Sequence, residues 1–239
     1  MKHGKGLTSR LAFRSRVMDW RHAAVTLLLA ACMGLPATAA AQTEASGRAL
    51  TFTKEFPGSV PPYYSVTVQE SGEAIYKTEP EDEQPIEFRL AERVASEIFA
   101  LADKLAGASD QAVESRRRVA NMGKKTIAYQ GGARHFTASF NHTEVPEALA
   151  LLDIFERISA TQQHGIRLEY LVQFDRLGIV KELLQLESDL DHGRLLGTEQ
   201  LVPMLERIRN DRAIVQLAKA RAAQILGKIQ TESSGSSSY

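Results

Sequence analysis

The feature that most constrains this chain is a change of hydrophobic period along its length. Tyr64-Ser65-Val66-Thr67-Val68 alternates apolar and polar with period 2, which buries one face of a strand. Glu70-Ser71-Gly72-Glu73 reads as a turn and Ala74-Ile75-Tyr76 as the return strand, so the two form a β-hairpin. From Ala91 the period becomes helical. Ala91, Val94, Ala95, Ile98, Phe99, Ala102 and Leu105 make one apolar stripe, which Gly107 ends.

The pattern then repeats. Lys125–Tyr129 and His135–Phe140 flank a loop containing Gly131-Gly132, and Phe136, Ala138 and Phe140 share a face. Thr143 is placed to cap the next helix, with Pro146 in its first turn. Val145, Leu149, Leu152, Phe155 and Ile158 would be its core face. Ala49–Phe56, closed by Pro57-Gly58, reads as an edge strand. Ile86–Leu90, after the acidic loop Glu79–Gln84, reads as a short strand or a lead into the helix. Two hairpins that each feed a helix predict an α+β domain over residues 45–163, an antiparallel sheet with helices packed on it.

Residues 166–229 read as wholly helical. Leu168, Leu171, Val172, Ile179, Leu183, Leu186 and Leu190 run through one stretch, Arg167–Leu190, in which Gly178 marks a kink or a close crossing. Thr198 is placed to cap a helix Glu199–Ile208 that Pro203 should bend. Asp211 is placed to cap the last helix, with the stripe Ile214, Ala218, Ala222, Ile225 and Ile229. His164-Gly165 is the expected boundary between the halves. Residues 230–239, Ser/Gly-rich from Thr231, are expected to be a disordered tail.

Ahead of all this lies a leader. Residues 1–22 carry six Lys/Arg against Asp19; an apolar run Ala23–Leu35 follows, then Pro36 and small residues. That order is a secretory signal, with cleavage after Ala39 or, better, after Ala41; Met18 is an alternative start. The run is too short to span a bilayer, which needs roughly 20 residues. Leu29-Ala30-Ala31-Cys32 also has the pattern of a lipobox, in which Cys32 would carry lipid. Apolar residues continuing beyond Cys32 to a second cleavage site favour soluble export. The exported chain then has no cysteine, so neither disulfides nor thiolate zinc sites hold it together.

The whole chain has 29 Lys+Arg and 29 Asp+Glu. Removing residues 1–41 takes away six bases and one acid, leaving 23 and 28, a net charge of −5. Such a chain has no general attraction to nucleic acid. The one concentrated basic region is Arg116, Arg117, Arg118, Lys124 and Lys125, with Arg134 expected across the hairpin. It would suit a phosphate or an acidic partner, and a solvated loop gives the same run. Gly123-Lys124-Lys125-Thr126 lacks the upstream glycine of a phosphate loop and precedes a strand. His135, His142, His164 and His192 form no metal-ligand spacing, no G-x-S-x-G is present, and the acids around Glu81 lack calcium-loop spacing. No cofactor is implied. Asp175 and Glu182, seven apart, could share a helix face and do acid–base work, or simply pair with Arg176 and Lys181. Of Tyr63 and Tyr64, one should face the core and one the outside.

Residues 49–160, with Gly72-Glu73-Ala74-Ile75-Tyr76 and Gly123-Lys124-Lys125-Thr126-Ile127, resemble uncharacterised α+β domains of secreted bacterial proteins. That resemblance implies a compartment and a fold. Leu201–Leu226 is similar to one HEAT-type helix pair, with Asp211, Ile214, Ala218, Ala222 and Ile225 in that repeat's positions. It implies a protein-binding scaffold, although stacked copies normally stabilise such repeats and an ordinary helical hairpin has the same pattern. The expectation is an exported, periplasmic or extracellular binding module without catalysis, whose partner is another envelope protein. A hydrolase with a dispersed site, or an inhibitor or chaperone-like partner of an exported protein, is the alternative.

Overall fold

The computed structural model describes residues 47–107, 113–131 and 134–235. The leader with Cys32, Gly132, and the tail beyond residue 235 lie outside the described residues. Six strands, β1 (Ala49–Glu55), β2 (Tyr63–Gln69), β3 (Glu73–Lys77), β4 (Ile86–Arg89), β5 (Lys124–Gly131) and β6 (Arg134–Phe140), form one antiparallel sheet in the order β4-β3-β2-β1-β5-β6. Helix α1 (Glu92–Gly107) carries the chain from edge strand β4 back to β5. Four helices follow: α2 (Pro146–Phe174), α3 (Ile179–Asp191), α4 (Val202–Asn210) and α5 (Gln216–Gly235). The α+β class and the helical second half match the expectation.

Period 2 determines which side of the sheet is buried. Leu50 and Phe52 of β1 face Val68 and Val66 of β2 and Tyr129 and Ile127 of β5, and all six are buried. Val94, Ile98, Phe99 and Ala102 of α1, and Leu151, Phe155 and Ile158 of α2, close over that face. Phe52 and Phe155 stack, centroids 5.0 Å apart. The opposite face carries hydroxyls, paired as Thr51 with Thr67 at 3.0 Å and Thr126 with Ser139 at 2.9 Å. Gly72 and Gly123 hold positive φ at the ends of this sheet; a Cβ at Gly123 would lie 2.6 Å from Phe56 Cβ.

Several expectations are corrected. Ala49–Glu55 is the central strand rather than an edge, because β5 returns to pair with its free side. Local pattern cannot reveal that long-range pairing. Helix α2 runs unbroken through the expected boundary at His164-Gly165. A glycine there leaves room for Leu201, whose Cδ2 would lie 3.4 Å from an added Cβ. The core face of α2 is Ala148, Leu151, Phe155 and Ile158, while Leu149 is exposed. The stretch expected to run through Gly178 is two helices, with the turn at Asp175–Gly178. A Cβ at Gly178 would meet Leu171 Cδ2 at 2.7 Å, so it marks a close crossing. Pro203 bends nothing, since it sits in the first turn of α4 after the 3-10 turn Thr198–Leu201. Thr143 and Asp211 accept backbone N–H groups two residues on, making turns ahead of their helices rather than caps. Helix α5 continues past Ile229 to Gly235, beyond the expected start of the tail.

Helix α2 is shared by two apolar clusters. Its first half joins the sheet core; Leu168 and Val172 join a second core built with α3, α4 and α5. Between them its buried residues are polar: Ser159, Thr161, Gln162 and His164. Each has a partner, as burial demands. Ser159 meets Tyr76 Oη at 3.2 Å, Thr161 Oγ1 donates to Leu196 O at 2.9 Å, and Gln162 bonds Gln200. His164 is the last of this polar waist.

Candidate functional site

His164 sits on α2, one turn before that helix enters the second core, and its side chain is 2% exposed. Glu182 and Asp189 lie seven residues apart on α3, two turns along one face. They flank the imidazole. Nδ1 lies 2.6 Å from Glu182 Oε1 and Nε2 3.0 Å from Asp189 Oδ2, both within hydrogen-bond distance. Outer donors complete the network. Arg167 Nε donates to Glu182 at 2.9 Å with its NH2 3.3 Å from Nδ1, Arg194 pairs with Asp189 at 2.7 Å, and Gln185 donates to Asp189 at 3.1 Å. Burial pushes the Glu182 carboxyl up, but the hydrogen bonds from His164 and Arg167 outweigh it and hold it below its ordinary value. Asp189 is held low in the same way: burial opposes, while Gln185, His164 and Arg194 prevail.

Beside this cluster, α2 and α3 leave an open groove of about 760 Å³, lined by Ile166, Tyr170, Leu171, Leu184, Lys181 and Glu182, among others. The apolar residues of the α2 wall, Ile166 and Tyr170, continue to Phe174 at i, i+4 and i+8, and the rings of Tyr170 and Phe174 lie 5.1 Å apart. Leu177 stands in the turn at the end of the groove. Tyr170, Phe174, Leu177 and Leu184 are 60%, 71%, 80% and 54% exposed. No helix among the described residues is long and apolar enough to cross a membrane, and none of their His, Cys, Asp and Glu group to hold a metal ion.

The basic residues expected to act together lie in the loop before β5 and along the β5–β6 hairpin. Arg116 and Arg118 are exposed in the loop before β5, and Arg117 is drawn to Glu144 at 3.0 Å. Lys124 is exposed at the start of β5, beside Glu55 in the sheet register. Arg134 lies opposite Gly131, whereas Lys125 lies opposite Phe140, so the hairpin separates them by about 20 Å at ~3.3 Å per residue. Lys125 is 4% exposed, and its Nζ donates to Met122 O at 2.8 Å and Asn141 O at 2.7 Å. Burial, followed by the charge of neighbouring Lys54, holds its ammonium below the ordinary value. Lys125 therefore fastens a loop. Lys125→Ala is expected to lose about 1–3 kcal/mol in urea unfolding, by leaving two carbonyls without their donor.

Asp175 and Glu182 do not share a helix face, because Asp175 ends α2 and Glu182 belongs to α3; both line the groove. The sequence reading missed the role of His164. The available signal was the spacing of Glu182 and Asp189, but nothing local ties them to a histidine 18 residues earlier. Tyr64 is buried and Tyr63 half-buried, as expected. No protein-family model matches this chain, and no curated protein matches it.

Proposed function

We propose that the chain is an exported binding protein of the cell envelope, which receives an amphipathic helix of a partner protein in the α2–α3 groove. The observation that carries this is the groove itself. Four large apolar side chains, Tyr170, Phe174, Leu177 and Leu184, stand more than half exposed within one helix–turn–helix. On the α2 wall the spacing i, i+4, i+8 is that of a helix face lacking its third helix. Isolated exposed apolar residues need no explanation, whereas a cluster beside a groove marks a contact surface. The rim bears both charges, Arg167 and Lys181 with Asp175 and Glu182, which suits a helix with mixed charges beside its apolar stripe.

Support for binding over hydrolysis comes from His164, since both ring nitrogens are taken and the ring is closed from the groove. The α4–α5 pair adds to the scaffold reading: Ile214, Ala218, Ala222 and Ile225, the HEAT-like positions, all face inward. Support for export comes from the charged, apolar and small-residue order of residues 1–41.

A photoreactive phenylalanine analogue at position 174, in protein expressed in its own host, tests both parts. It should crosslink one envelope protein, with the product lost on Leu177→Asp; the same analogue at exposed Leu149 should give none. Equal products at both positions would discard the groove. The purified chain should have the mass of a species starting at Gln42, and a fatty-acylated Cys32 would overturn soluble export.

A further inference from the structure

A second docking surface lies on the far side of Ile166, along the outer edge of the sheet. Among the described residues, strand β4 pairs only with β3. Leu90 N donates to Gly72 O at 2.8 Å, so by strand alternation Leu90, Phe88 and Ile86 turn their backbone groups toward β3. Glu87 and Arg89 then turn theirs outward, with no backbone partner among the described residues. That leaves two N–H and two C=O groups in a row, the template for another strand.

Beside this edge runs a trench of about 420 Å³, walled by Ile86 and Phe88 of β4, Gln162 and Ile166 of α2, and Leu201 and Met204 beyond. The side chains of an added strand would point alternately into this trench and to the opposite face of the sheet. The trench is mostly apolar. The opposite face at β4 presents Glu87 and Arg89, and the Arg89 guanidinium is turned back to Ser71 O at 3.1 Å. The loop leading into β4 adds Glu79, Glu81 and Glu83, all exposed and with no ion pair among the described residues. Asp82 in the same loop is occupied with Thr78 and Gln84, which fixes the loop.

We infer that β4 accepts an extended peptide segment by strand addition, apolar side chains alternating into the trench and cationic ones beside Glu87 and the acidic loop. Charge selects this occupant. An antiparallel second copy would set Glu87 opposite Arg89 but would hold the two acidic loops at opposite ends of the ladder, leaving Glu79, Glu81 and Glu83 without cations, which a lysine-bearing segment supplies. The inference stands apart from the α2–α3 groove, with which it shares only Ile166.

The test uses the full-length exported chain and a short fluorescein-labelled peptide alternating lysine and isoleucine, read by anisotropy. Its backbone N-methylated counterpart has the same charge but cannot pair. The parent peptide should bind at least tenfold tighter than the N-methylated one and than a glutamate–isoleucine analogue. Glu87→Pro removes one outward N–H without touching the β3 ladder and should abolish binding while the circular dichroism melt is retained. Should that variant not fold, Glu87→Lys, expected to weaken binding at least tenfold, replaces it. Leu177→Asp, in the turn beside the α2–α3 groove, should leave peptide binding unchanged. Equal binding of parent and N-methylated peptides overturns the inference, as does a Glu87-dependent dimer in sedimentation or loss of binding on Leu177→Asp alone.

Discussion

His164→Ala should lower the unfolding free energy by about 3 kcal/mol, measured by urea denaturation. Removing one member of a buried ion pair costs roughly 3–5 kcal/mol, because the partner's charge stays buried without compensation. Here the ring is the shared hydrogen-bond partner of Glu182 and Asp189. The expected loss sits at the low end because Arg167 and Arg194 remain on those carboxylates. A loss under about 1 kcal/mol would show that the histidine merely fills space. The pH dependence has a definite sign. Both carboxyls titrate below their ordinary values of 4.5 and 3.8 in the folded chain. Their contribution is therefore complete above those values and is lost as pH falls through the lower folded values. Urea midpoints of the native chain should fall on acidification through that window. The decline should be shallower in His164→Ala, where one cause of the depressed values is gone.

Phe52→Ala should cost about 3–5 kcal/mol, the usual range for deleting a buried phenyl ring and leaving a cavity. Phe52 is fully buried on the central strand and stacks on Phe155 with planes 4° apart. Phe155→Ala should cost a similar amount. Because the rings touch, the double variant should lose less than the sum, with a coupling near 0.5–1.5 kcal/mol in a double-mutant cycle. Additive losses would mean the two rings pack on other neighbours rather than on each other.

Much of the fold was legible because its elements carry their own period. The α1 stripe from Val94 to Leu105, both hairpins, and the run Ile214, Ala218, Ala222, Ile225 and Ile229 are buried as the spacing predicts. Errors came where local signals were silent or shared. Leu149 and Leu151 both fit a helical stripe, and only the position of the sheet selects Leu151. The basic run at Arg116–Arg118 is conspicuous in the sequence because it concentrates charge, whereas the burial of Lys125 is not. Lys125 shows that a lysine there can instead be a buried fastener.

The sequence by itself determined the α+β class, the helical second half and most of the greasy faces. Period and composition are properties of neighbours along the chain, so they need no fold to be read. Only the tertiary structure decided that β1 is central, that α2 spans two cores, and that His164 stands between Glu182 and Asp189. Those facts depend on residues far apart in sequence meeting in space, and the free energy of each meeting belongs to the assembled core rather than to any one segment.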